Sequence, residues 1–114
     1  MSDTFGDTLR EYRRTAGISQ RELAQKANLD FSYISKIENG RVPPPSADTI
    51  VVICNILNVR PEEMLALTGK IPSGVQADIS TSKAAQEFLR SAKDMKLSEA
   101  EWSKITKSLK DLRE

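Results

Sequence analysis

Between Gln20 and Arg41 the chain carries an unusual density of groups that can meet a polyanion or the edge of a base. Gln20 and Arg21 come first, then Phe31, Ser32, Tyr33, Ser35 and Lys36, and finally Asn39 and Arg41. Amide, guanidinium, hydroxyl and ammonium groups donate to phosphate oxygens, which fixes register without reading sequence. Gln20 suits a phosphate at the groove edge, with Arg21 beside it as a second candidate. Phe31 offers an apolar face to thymine methyls, or else tucks into a core against Leu29. Ser32 can donate to or accept from any base, and Lys36, with Ser35 one turn further on, can reach guanine O6 and N7 or a phosphate. Tyr33, Asn39 and Arg41 read as clamps on the sugar-phosphate backbone. The chemistry expected is recognition of double-stranded DNA, not bond-making.

Such groups need elements to aim them. Ser19 reads as the cap of one short helix, with Glu22 three residues on completing a capping box and with Leu23, Ala24 and Ala27 facing inward. Asn28-Leu29-Asp30 forms a tight turn, and Asp30 is expected to cap the next helix. Ile34 and Ile37 are its inward residues, and Asn39-Gly40 stops it. One helix laid in a major groove while its predecessor braces on the backbone needs this arrangement. Around the pair, a first helix from Thr4 to Thr15 places Phe5, Leu9, Tyr12 and Ala16 on one face and ends at Gly17. Pro43-Pro44-Pro45 forces an extended passage. Ser46 then caps a fourth helix carrying Ile50, Val51, Ile53, Cys54 and Leu57. Pro61 opens a fifth, where Glu62 and Glu63 complement the dipole, Met64, Leu65 and Leu67 close the core, and Gly69 ends it.

Composition narrows the classes. The 114 residues carry a net charge of +1, with 39% hydrophobic and 29% charged residues, as in an ordinary globular chain. No histidine is present, so neither a histidine-based triad nor a histidine zinc site is available. No catalytic residue, metal ligand or cofactor is expected, and Cys54 reads as core. A single cysteine fits a reducing compartment. With no signal peptide and no apolar run near ~20 residues, a cytoplasmic location and no membrane partner are expected. Positive charge is gathered locally at Arg10, Arg13, Arg14, Arg21 and Arg41, because a nearly neutral chain must concentrate it to bind DNA.

Residues 70–81 read as a linker. Beyond it, 82–114 read as two amphipathic helices, the second opened by a capping box of Ser98 and Glu101. Phe88 and Leu89 lie on the first stripe, and Trp102, Ile105, Leu109 and Leu112 on the second. Two helices of this length cannot bury both apolar faces alone. The seam is expected to pair two copies as a homodimer, the alternative being a hairpin folded back on its own domain.

Residues 5 to 68 resemble the Cro/C1-type helix-turn-helix family, also called XRE, of bacterial and phage repressors. The resemblance is carried by Leu9-Arg10-Glu11-Tyr12-Arg13, Gly17-Ile18-Ser19-Gln20-Arg21-Glu22-Leu23-Ala24 and Tyr33-Ile34-Ser35-Lys36-Ile37-Glu38-Asn39-Gly40-Arg41. It implies a five-helix, lambda-repressor-like DNA-binding domain at 1–69, which with the C-terminal hairpin read above as a dimerisation segment makes an all-α fold. It further implies a nucleoid-associated DNA-binding transcriptional regulator, a repressor reading DNA through helix 30–38; with the hairpin pairing two copies, a homodimer on a palindromic operator is expected. The family pattern makes Glu38 structural, paired with Arg10 or Arg13. Asp30 stands where the family usually has Ser or Thr, Phe31 where a polar residue is common, and Arg60 where Ser or Asp usually caps helix five. The hairpin loosely resembles that of repressors encoded beside a metallopeptidase. A protein partner, either such a peptidase or a toxin neutralised by an antitoxin-type chain, is the alternative reading.

Overall fold

The computed structural model describes residues 4–113 as helices and short connections. Residues 1–3 and 114, the outer ends of the expected first and last segments, lie outside the described residues. The chain forms two compact units that divide between Val75 and Gln76.

In the first unit α1 (Phe5–Thr15), α2 (Gln20–Ala27), α3 (Phe31–Glu38), α4 (Ala47–Leu57) and α5 (Glu62–Thr68) surround one core. Leu9, Leu23, Ile34, Ile37, Ile50, Ile53, Cys54 and Met64 are fully buried there. Burying a Leu or Ile side chain is worth roughly 1.5–3 kcal/mol, so this cluster is what holds five short helices together. Side-chain caps start three of the five: Thr4 Oγ1 accepts from Asp7 N–H, Ser19 Oγ from Glu22 N–H and Ser46 Oγ from Thr49 N–H. Gly17 and Gly69 take the left-handed backbone (φ 70° and 68°) just after α1 and α5. Asn28 and Asn58 do the same after α2 and α4.

Several expectations need correction. Glu22 completes only half of its capping box, because its carboxylate pairs with Lys26 (3.5 Å). Asp30 does not cap α3 with its side chain. Pro61 sits one position earlier than expected, at the N-cap of α5. Leu67 and Ala16 are exposed, and Met64 and Leu65 alone represent α5 in the core. The expected linker is helical over α6 (Ser73–Ser80), which buries no residue and so offers no apolar stripe from which to read it.

Within the first unit the approach to α6 is anchored. Lys70 Nζ donates to the carbonyls of Pro44 (3.0 Å) and Pro45 (2.8 Å), and Ser73 donates through both N–H and hydroxyl to Asp48. These two bonds hold the Asp48 carboxyl below its usual range.

The second unit contains α7 (Lys83–Met95) and α8 (Glu99–Lys110), the latter followed by a short 3-10 turn over Asp111–Arg113. Ser82 caps α7, and Ser98 with Glu101 forms a complete capping box on α8. Phe88 and Trp102 meet edge-to-face with centroids 6.4 Å apart.

Candidate nucleic-acid interface

The surface is built outward from a buried carboxylate. Glu38 ends α3 with only 3% of its surface exposed, a position that an acid occupies only when fully partnered. Arg13 of α1 meets it with two donors, Nε to Oε2 (2.6 Å) and Nη2 to Oε1 (2.9 Å). Arg10 adds Nε to Oε1 (3.4 Å), and Gln20 of α2 donates its amide N–H to the same oxygen (2.9 Å). Burial by itself would push the Glu38 carboxyl upward, but hydrogen bonds from Arg13, Gln20 and Arg10 and the Arg13 charge bring it below its usual range. The hydrogen bond to Glu38 raises the Arg13 guanidinium in turn. One side chain thereby ties α1, α2 and α3 together, and among the described residues no buried side-chain polar atom lacks a partner.

Two more contacts lock α3 in place. Arg10 Nη2 reaches past Glu38 to its carbonyl (3.0 Å) and to Asn39 Oδ1 (2.9 Å). Gly6 of α1 lies so close to α3 that a Cβ there would stand 2.5 Å from the Ile37 carbonyl oxygen and 2.7 Å from that of Glu38. Sequence reading did not single out Gly6, since a glycine inside a helix carries no signal of what lies opposite it.

The expected DNA-facing residues fall into two groups on this frame. Arg21, Phe31, Ser32, Lys36, Asn39 and Arg41 are exposed along α2, α3 and the turn after α3. Gln20, Tyr33 and Ser35 are half-buried, Tyr33 packing against the core and Gln20 turned toward Glu38. The choice left open for Phe31 resolves outward: it is 40% exposed, and the Arg21 guanidinium lies over its ring at 4.7 Å. A guanidinium stacked in this way is preorganised and keeps its edge donors for a ligand. Asp30, released from capping, instead accepts a 2.7 Å hydrogen bond from the Ser32 hydroxyl. The arrangement offers donors, an aromatic face and a hydroxyl on the first turn of α3.

A family model described as a helix-turn-helix domain matches residues 4–67, more than half of the chain. The chain belongs to the helix-turn-helix family of DNA-binding transcriptional regulators. Its helix-turn-helix is α2, the turn at Asn28–Asp30 and α3, set in the five-helix Cro/C1 arrangement. RghRB of Bacillus subtilis, an uncharacterised HTH-type transcriptional regulator, is 37% identical over 67 residues, or 59% of this chain and 48% of that protein. The transcriptional regulator ClgR of Mycobacterium tuberculosis is 35% identical over 57 residues, half of each chain. SinR of Bacillus subtilis is 28% identical over 87 residues, 76% of this chain and 78% of SinR. The helix-turn-helix chain thus spans about half the length of the first of these relatives. Among solved structures, a complex of the SinR and SinI proteins shares the fold, with a TM-score of 0.53 at 22% identity, covering 94% of this chain and 95% of that one.

Proposed function

We propose that this chain is a homodimeric repressor that binds an inverted-repeat operator, laying α3 of each copy in successive major grooves about 34 Å apart. The observation that carries the reading is the first turn of α3: Phe31, Ser32 and, one turn on, Lys36 stand clear of the core on a helix held by the buried Glu38. In this reading Phe31 meets thymine methyls, and Ser32 and Lys36 meet base edges. Arg21, Tyr33, Ser35, Asn39 and Arg41 contact the groove rim and backbone, and Gln20 keeps its remaining amide hydrogen to donate to a phosphate.

Dimerisation falls to the second unit. Phe88 (45% exposed), Leu89 (37%), Trp102 (39%), Leu109 (63%) and Leu112 (75%) present apolar surface on the single chain, with Ile105 half-buried between them. A nearly neutral chain gains little from non-specific attraction to DNA, so pairing two reading helices is its route to affinity. The test is selection of DNA from a random pool by the purified chain, followed by sequencing. Two half-sites related by inversion are expected, and a single half-site or no enrichment would overturn the reading.

A second reading concerns control. SinR is recorded with a different protein, SinI, and the apolar seam of this chain would serve a helical partner as well as a second copy. A protein that competes for α7 and α8 would release DNA by undoing the dimer. Mixing the chain with the products of neighbouring genes and following its mass checks this, with a toxin or a metallopeptidase as the alternatives.

A further inference from the structure

On the reading of α3 as the recognition helix, we infer that Asp30 and Ser32 act together as an acceptor-only reader of cytosine in the operator. Asp30 has the backbone of an N-cap residue (φ −71°, ψ 136°), yet its carboxylate makes no hydrogen bond to the N–H groups of α3. It turns instead to the Ser32 hydroxyl, whose hydrogen it takes at 2.7 Å. Both residues are exposed at the start of the helix, the part that reaches base edges in this motif.

The bond decides what Ser32 can read. A free serine hydroxyl donates or accepts according to its neighbour. With its hydrogen committed to Asp30, Ser32 offers lone pairs alone, and Asp30 Oδ1 adds a charged acceptor beside them. Guanine N7 and O6 and thymine O4 are acceptors and repel this pair. Adenine offers an amino group, but its acceptor N7 lies alongside. Cytosine presents N4–H2 in the major groove without an acceptor beside it on the same base, and carboxylates pair with it there. The paired guanine then presents O6 and N7, the acceptors that suit the exposed ammonium of Lys36, four residues and one turn along the same face from Ser32. Asp30 also repels phosphates, so it weakens binding to any sequence that does not reward it. An anion at this position raises specificity at the expense of general affinity.

The experiment compares the full-length chain with Asp30→Asn and Ser32→Ala by selection from a random duplex pool, with affinity for a random-sequence duplex measured at one fixed salt concentration. The wild-type chain is expected to select cytosine at one position of each half-site. Asp30→Asn gains donors and loses a charge: discrimination at that position should fall by about tenfold and drift toward adenine, while affinity for random duplex rises. Ser32→Ala should weaken the cytosine preference without abolishing it, because Asp30 remains. Thermal melting controls for folding. An unchanged consensus for Asp30→Asn, with or without a lower melting temperature, overturns the inference and leaves the repressor reading standing. A wild-type chain that enriches no sequence removes both.

Discussion

At the scale of single residues, Glu38 matters most, since a buried carboxylate is tolerated only while its donors stay in place. Replacing it by glutamine leaves the Arg13 guanidinium facing a neutral amide in a site where its side chain is 11% exposed. Breaking such a pair costs about 3 kcal/mol, toward the low end of the buried range because Arg10 is partly solvated. Urea unfolding of Glu38→Gln should show a loss of that order. DNA affinity should fall with it, since Gln20 and Asn39 lose the framework that orients them. The pH dependence has a definite sign. The folded-state Glu38 carboxyl lies below its ordinary value of 4.5, so its contribution is complete above about pH 4.5 and is lost as pH falls through the depressed folded value. In Glu38→Gln the acid limb of the stability curve should be shallower, which melting between neutral pH and pH 3 will reveal. Phe31 belongs to the same scale. Phe31→Ala removes the apolar face proposed to meet thymine methyls as well as the platform under Arg21, so operator affinity should drop more than affinity for random duplex, as gel shifts on both duplexes would show.

At the scale of elements, the angle between α1 and α3 depends on a residue without a side chain. Gly6→Ala would drive a Cβ to 2.5 Å from a backbone carbonyl that cannot swing away. Overpacking of this kind costs about 1–3 kcal/mol and sometimes more. The variant should unfold at lower urea and bind operator less well, because α3 must tilt to make room. Denaturation and binding measured together test this, and a stable Gly6→Ala with normal binding would contradict the packing argument. The same scale explains α6. Helices read from sequence announce themselves through an apolar stripe, and Ser73–Ser80 has none because it buries nothing. Its helical run starts just after Pro72 and is tethered at Ser73 to Asp48, contacts that no spacing rule anticipates.

At the scale of the whole molecule, charge sets a problem that the proposed pairing of two copies would solve. Seventeen basic and sixteen acidic residues leave almost no net attraction to DNA, so one reading head gains little from electrostatics. Leu109→Asp places a charge on an exposed position of the seam without touching the core of the first unit. Sedimentation should then show a monomer, and operator binding should fall by more than tenfold with the fold intact by circular dichroism. A Leu109→Asp dimer with unchanged affinity would place the pairing surface elsewhere.

Helices that carry an apolar stripe and a cap are legible along the chain, because period and capping chemistry are local. Ser19, Ser46, Ser82 and Ser98 announce helix starts that the structure places within a residue, and Ile34 and Ile37 face inward as their spacing requires. The pairing of Glu38 with Arg10 or Arg13 came from the family pattern, and both arginines turn out to share it, with Gln20 as a third donor. Tertiary structure alone decided how those local pieces meet: which carbonyls lie above Gly6, which way Phe31 turns, and whether Asp30 caps α3 or holds Ser32. Each of those outcomes depends on distances between residues far apart in the chain or on a competition between two nearby hydrogen-bond partners. A pattern along a line contains neither.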